Sequence, residues 1–322
     1  MFSYDDILQA RSRIKDLIVE TPVVSSPMLN DMVGAEIYVK AESLQLTGSF
    51  KVRGALNTLL SLSQEERDRG VLAYSSGNHG HAVSAACKIV GAKATICLPS
   101  VAPAIKVANC RWWGAEIVFY DAETTDREEF AEGVAAERGL TIVRPFDDYR
   151  VMAGQGTAGV ELCEFLKAKQ VDLDMMLVNC SGGGLTAGVF TAVRHHFPDI
   201  EYGIVEPVGY EKFAASLRSG KPERNGVLRP NVMDGILGPI VGSYTFPVIQ
   251  ACNPKPYAVT EEEALNAVKV AFKTLKLVLE PGAAVSLAAI LSGKIDVRGK
   301  KVALIGSGGN VDPEMFTRAL AG

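Results

Sequence analysis

No apolar run in this 322-residue chain approaches the ~18 residues that a membrane-spanning helix needs, so an integral helical membrane protein is not expected. Positive charge is not in surplus either. Lys and Arg number 33 against 37 Asp and Glu, a net −4, and no basic run marks a nucleic-acid surface. The cysteines at 87, 97, 110, 163, 180 and 252 form no C-x-x-C pair, and most stand in apolar runs. They read as reduced core residues of a cytosolic protein rather than a disulfide framework or a zinc site. Cys180, beside a glycine cluster, reads as a buried spacer. His195-His196 closes a helix, where histidines suit the dipole, and has no partner suggesting a metal. Internal repeats, low-complexity tracts and obvious linkers are absent, and the start Met1-Phe2-Ser3-Tyr4-Asp5-Asp6 is too acidic and polar for a secretory leader.

What is present is an ordinary globular composition, 48% hydrophobic and 22% charged. The length admits one large domain or two modest ones. Ser3 with Asp6 looks like a capping start, followed by Ile7, Ala10, Ile14 and Leu17 at helical spacing. Strand-length apolar runs follow at Ile37–Val39, Val71–Tyr74, Ala94–Leu98, Ile117–Tyr120, Met175–Cys180, Tyr202–Val205 and Val302–Ile305. Between most neighbours lies a helix-length segment, such as Asp126 to Arg138, closed by Gly139. Repeated βα units predict an α/β protein with parallel-rich sheets covered on both faces by helices.

Four strand-to-helix turns carry chemistry. The first is Ser49-Phe50-Lys51-Val52-Arg53-Gly54, which places Lys51 in the first turn of a helix. The positive helix end disfavours an ammonium there, and burial beside Phe50 pushes the same way, so the amine becomes a nucleophile able to form a Schiff base. Alone, the same lysine reads as an exposed helix start. The second turn, Ser75-Ser76-Gly77-Asn78-His79-Gly80, offers a rim of backbone N–H groups suited to a carboxylate. The third, Ser181-Gly182-Gly183-Gly184-Leu185, lets the backbone wrap a phosphate before the helix Thr186 to His195. The fourth is Ser307-Gly308-Gly309-Asn310. Each glycine cluster alone reads equally well as a turn, whereas all of them in this order make a specific pattern.

With these motifs the chain resembles the serine/threonine dehydratase and serine racemase family of pyridoxal-phosphate enzymes, of the tryptophan-synthase-β-like fold. The resemblance extends from Ile7-Leu8-Gln9-Ala10-Arg11 through Pro145-Phe146-Asp147-Asp148, Ala153-Gly154-Gln155-Gly156-Thr157 and Leu279-Glu280-Pro281-Gly282 to Ser307-Gly308-Gly309-Asn310. It implies two domains: a large cofactor-binding one from residues 1–69 and 148–322, and a small inserted one from residues 70–147, with the cofactor in the cleft. It further implies Lys51 as Schiff-base lysine and α-proton base, with Phe50 against one face of the pyridine ring. Asn78 would meet the phenolic oxygen, Gly182, Gly183, Gly184 and Leu185 the phosphate, and Ser307 the pyridine nitrogen. Ser75, Gly77 and His79 would line the substrate carboxylate site. Ser76 matches the serine that racemases of the family use as second acid/base, opposite Lys51. His81 reads as packing or capping its helix. The C-terminal regulatory domain of biosynthetic threonine dehydratases is expected to be absent.

One position departs from the family pattern. In metal-dependent relatives the Glu of a Glu-Pro turn is followed six positions later by an acidic ligand for Mg²⁺ or Ca²⁺, with Mn²⁺ as another candidate. Here Glu206-Pro207 is present and position 212 is Lys. Glu206 is therefore a doubtful metal ligand, and the Lys212 ammonium stands where a cation would. The expectation is a cytoplasmic, homodimeric lyase that eliminates water from serine, threonine or 3-hydroxyaspartate, with a slight preference for the last. Arg144 and His79 are the candidate partners of a second substrate carboxylate. An amino-acid racemase is the alternative within the same chemistry. A non-catalytic α/β ligand-binding protein is the rival class, and it has no use for Lys51.

Overall fold

The structure is a computed structural model that describes residues 2–75, 77–102, 104–226 and 229–322. In chain order it contains α1 (Tyr4–Ile14), β1 (Val23–Val24), α2 (Pro27–Val33), β2 (Glu36–Lys40), α3 (Lys51–Leu60), α4 (Gln64–Arg69), β3 (Val71–Tyr74) and α5 (Asn78–Val90). There follow β4 (Ala94–Pro99), α6 (Ala104–Trp112), β5 (Glu116–Tyr120), α7 (Arg127–Arg138), β6 (Thr141–Ile142), α8 (Tyr149–Ala168), β7 (Met175–Asn179) and α9 (Gly184–His196). The last third holds β8 (Glu201–Pro207), α10 (Lys212–Ser219), α11 (Thr245–Gln250), β9 (Lys255–Val259), α12 (Glu261–Val270), α13 (Val285–Leu291), β10 (Lys301–Ile305) and α14 (Pro313–Ala321).

Two sheets result. The larger has the order β1-β2-β10-β7-β8-β9, parallel except where β1 runs against β2. The smaller, β5-β4-β3-β6, is wholly parallel and draws its strands from residues 71–142. Helices cover both faces of each sheet, so the central strands β3 and β7 are buried at every position. The predicted strands form within a residue or two of their expected bounds. Three were not foreseen. β1 and β6 are two residues long, and β9 is an edge strand whose Lys255 and Pro256 mask it in the sequence. The capping starts are realised too. Ser3 and Asp6 form the reciprocal pair at α1, Asp126 caps α7, and Gly139 ends it at φ +66°.

Helix α8 is the axle of the larger unit, and it explains Gly154-Gln155-Gly156. A Cβ at Gly154 would fall 2.7 Å from Gly54 Cα on α3, and one at Gly156 would fall 2.9 Å from the Gly188 carbonyl on α9. Backbones touch where side chains would otherwise hold them apart, so the start of α3, with Lys51, sits hard against α8. A buried charge cluster clamps the same junction. Arg53 donates to both oxygens of Glu42 (2.7 and 2.9 Å) and both of Glu161 (2.6 and 2.8 Å), and Lys40 meets Glu161 at 2.5 Å. The planar guanidinium suits two carboxylates at once, and two cations against two anions leave no net buried charge. No helix among the described residues is long and apolar enough to cross a membrane.

Candidate active site

Lys51 opens α3, whose N-terminus follows the turn at Gly48 (φ +71°). Its Nζ donates to the Pro145 carbonyl at 2.6 Å and lies 5.2 Å from the centre of the Phe50 ring. Burial pulls the amine down to about 8, against an opposing pull from the carboxyl of Glu280. A lysine there is largely a nucleophile in mildly alkaline solution, and a carbonyl oxygen is all that holds it. The turn before it is stitched to the Ser307 turn. Ser49 bridges Gly308 in antiparallel fashion, and Phe50 N–H donates to the Ser307 carbonyl at 3.1 Å.

The glycine turn after β7 is set by three contacts. Gly183 takes φ +98°, a region that disfavours side chains, and the Phe146 ring occupies the space a Cβ at Gly182 would need. The Gly182 carbonyl accepts from Thr245 Oγ1 at 2.6 Å. The Gly182 carbonyl is thus engaged, and α9 starts at Gly184 without an acidic first turn, so its first N–H groups could receive an anion. Ser307 Oγ accepts from Asn179 Nδ2 at 3.0 Å, which joins the ends of β7 and β10.

From the smaller unit, Asn78 starts α5. Its Nδ2 donates to Glu280 Oε1 at 2.7 Å, and its Oδ1 accepts from Asn310 at 2.7 Å. Glu280 is buried, and burial first, then Asp234, raises its carboxyl to about 7. Ser75 Oγ accepts from Gly77 N–H at 3.2 Å, closing the turn expected to face a carboxylate. Ser76 lies outside the described residues.

Two residues expected on the substrate side have other partners in this structure. His79 is buried, donates from Nε2 to the Val143 carbonyl at 2.8 Å, and is driven down to about 3 by burial and then by Lys51. It stays neutral, its bonded N–H is already used, and it offers no cation to a carboxylate. Arg144 points its guanidinium toward Glu132 at 3.4 Å, beside Tyr74, and is 44% exposed on the α7 side. Its neighbour Pro145 reaches Lys51; Arg144 itself does not turn that way. His81 accepts from Trp113 Nε1 at 2.8 Å, which is the packing role foreseen.

Glu206 ends β8 inside the protein. Its two oxygens accept from the N–H groups of Phe213 (2.9 Å) and Ala214 (3.0 Å) at the start of α10, and Lys212 Nζ lies 3.8 Å away. Burial raises the Glu206 carboxyl to about 7 and lowers the Lys212 amine, each opposed by the other's charge. No group of three metal-ligating side chains occurs among the described residues.

Sequence reasoning did not assign roles to Glu280, Asn179, Thr245 and Gln155. Glu280 and Gln155 stand in motifs already quoted, whereas Thr245 and Asn179 carry no local signal. They act only because the fold brings residues about 63 and 128 positions apart into contact.

A family model described as "Pyridoxal-phosphate dependent enzyme" matches residues 14–308. The chain is 38% identical over 320 residues to the L-threo-3-hydroxyaspartate ammonia-lyase of Saccharomyces cerevisiae, covering 99% of this chain and 97% of that one. It is 39% identical over 321 residues to the L-threonine ammonia-lyase of Thermotoga maritima, covering 99% and 78%. The structure of maize serine racemase superposes with a TM-score of 0.92 at 33% identity, covering 99% of this chain and 97% of that one.

Proposed function

The chain belongs to the pyridoxal-phosphate-dependent enzyme family, and we propose that it is the dehydratase, or ammonia-lyase, of a β-hydroxy amino acid. The reaction removes the β-hydroxyl as water and, after hydrolysis, gives a 2-oxo acid and ammonia. The observation that carries this reading is the half-buried Lys51 amine at the start of α3, lowered to about 8 and hydrogen-bonded to the Pro145 carbonyl.

The residues fit the cofactor. Among the described residues, buried polar atoms without partners include Ser49 Oγ before Lys51, Asn179 Oδ1 beside Ser307, and both ends of the Gln155 amide against Gly184. When bound, pyridoxal phosphate supplies the electron withdrawal that makes an α-hydrogen acidic. Lys51 would anchor the cofactor and would then be the base placed to take the α-proton. Phe50 would flank the ring, Asn78 would face the phenolic oxygen, and the N–H groups of Gly182, Gly183, Gly184 and Leu185 would hold the phosphate. Ser307 would meet the pyridine nitrogen as a neutral donor, too weak an acid to protonate it, which would favour prompt loss of the leaving group. Ser75 and Gly77 receive the substrate carboxylate, with His79 as a neutral wall.

Among substrates we propose 3-hydroxyaspartate ahead of threonine and serine, supported by the yeast relative. Its second carboxylate would draw Arg144 away from Glu132, a weak exposed pair at 3.4 Å. The test supplies every stereoisomer of the three amino acids and measures ammonia. Highest kcat/KM with serine or threonine, or unchanged hydroxyaspartate turnover in Arg144→Ala, refutes the corresponding part. A second reading, amino-acid racemisation with Ser76 as the second acid/base, is favoured by the likeness to maize serine racemase. Chiral analysis of recovered substrate decides it.

The remaining features of this reading are proposals of the same kind. Residues 70–147 form the small domain, supported by a sheet drawn from that span alone. The protein is cytoplasmic, supported by six unpaired cysteines. It is a homodimer, supported by Met28 and Met32 exposed on α2, and sedimentation measures that. It needs no divalent cation, because Lys212 supplies a charge beside Glu206.

A further inference from the structure

The side-chain amide of Gln155 is buried, 1% exposed, and neither Oε1 nor Nε2 has a hydrogen-bond partner among the described residues. Its position is defined by two glycines. A Cβ at Gly54 would lie 3.2 Å from Nε2, and a Cβ at Gly184 would lie 2.9 Å from Oε1. Gly54 follows Lys51 by three residues on α3, and Gly184 is the first residue of α9. The amide is therefore wedged between the lysine helix and the glycine turn. Packing does not explain it, since methionine or leucine fills similar space with no polar group left unbonded. A buried, unsatisfied amide between the lysine helix and the glycine turn instead marks a place where a ligand completes the bonding.

The two ends of a glutamine amide are nearly equal in size, and a half-turn exchanges them at no steric cost. That turn brings Nε2 to Gly184, beside the free N–H groups of the first turn of α9, whose first turn holds no acidic residue. We propose that Gln155 is a side-chain ligand of the anion held by the glycine loop and donates its amide N–H to the cofactor phosphate. The inference rests on the reading of Gly182–Leu185 as the phosphate site. It adds to backbone donors a side-chain donor anchored on α8, so that filling the site also locks α3 to α9.

The test compares dissociation constants of pyridoxal phosphate and of pyridoxal, which lacks the phosphate, by absorbance titration of the cofactor-free protein. Gln155→Met is expected to bind pyridoxal phosphate ~10- to 100-fold more weakly, the range for a lost hydrogen bond to a charged group, with pyridoxal affinity unchanged. Gln155→Glu should lose more, because a like charge faces the phosphate. Equal loss for both ligands, or none for either, overturns the proposal. If wild type binds pyridoxal as tightly as pyridoxal phosphate, the glycine-loop reading itself fails. A measurement on wild type covers misfolded variants. The Gln155 side-chain N–H resonance should shift when inorganic phosphate is added, and an unmoved resonance at saturating phosphate refutes the contact.

Discussion

Asn179 Nδ2 donates to Ser307 Oγ at 3.0 Å, a bond between the last residue of β7 and the turn that follows β10. The two strands are parallel neighbours, with Leu177 opposite Leu304, so the sheet register itself delivers the pair. The bond uses an acceptor position of the hydroxyl and leaves its proton free to point at a ring nitrogen. In Asn179→Leu the serine rotates freely. Cofactor affinity should drop roughly fivefold, the worth of one neutral hydrogen bond near 1 kcal/mol. A titration curve that overlays wild type would remove Asn179 from the site.

Lys51 titrates low because it is buried, and Glu280 partly restores the charge. In cofactor-free protein the neutral amine should therefore grow as pH rises through about 8, well below a free lysine near 10.5. The rate of pyridoxal phosphate uptake should rise across that window and level off above it. Glu280→Gln removes the opposing pull and should shift the midpoint lower. Uptake still climbing at pH 10 would contradict this. Lys51→Ala should fold normally and lose nearly all elimination activity.

Arg53 lies two residues beyond Lys51 and is wholly buried between Glu42 and Glu161. Replacing it with Met strands two buried carboxylates, which costs about 3–5 kcal/mol in comparable sites. Lys keeps the charge but cannot serve both carboxylates in one plane, so Arg53→Lys should also destabilise. Gly154→Ala tests the same junction by crowding, with about 1–3 kcal/mol expected where Gly54 approaches. Urea unfolding measures all three variants, and midpoints within error of wild type would mean that the clamp is not what holds α3.

Much of this architecture was legible because local and global signals agreed. Apolar runs such as Val71–Tyr74 are buried on both faces, and Asp126 and Gly139 bound their helix as capping rules require. Lys51 was legible from its turn, and the glycine loop from consecutive residues. What escaped was non-local. Asn179 reads as the end of an apolar strand, and Thr245 has no motif around it. Both acquire roles only through contacts across the sheet and loop. Arg144 and His79 show the opposite case: residue type suggested a cation for a carboxylate, whereas in this structure they face Glu132 and the Val143 carbonyl. Charge at a sequence position says nothing about which way the side chain turns.

The Glu206 site yields the last prediction. Both carboxylate oxygens already accept from the first N–H groups of α10, and Lys212 Nζ stands 3.8 Å off without a hydrogen bond. A divalent cation would have to compete with that ammonium for a carboxylate whose bonds are made, and no group of three metal-ligating side chains occurs among the described residues. Elimination activity should therefore be unchanged after EDTA treatment. Lys212→Met should destabilise by about 3–5 kcal/mol by leaving Glu206 unpaired, and Glu206→Gln with Lys212→Met should recover part of that loss, since the pair is coupled. Lys212→Asp restores an acidic pair, so its unfolding temperature should become dependent on Mg²⁺ concentration where that of wild type is not. Activity abolished by EDTA in wild type and restored by Mg²⁺ or Mn²⁺ would show that the built-in ammonium does not replace the metal.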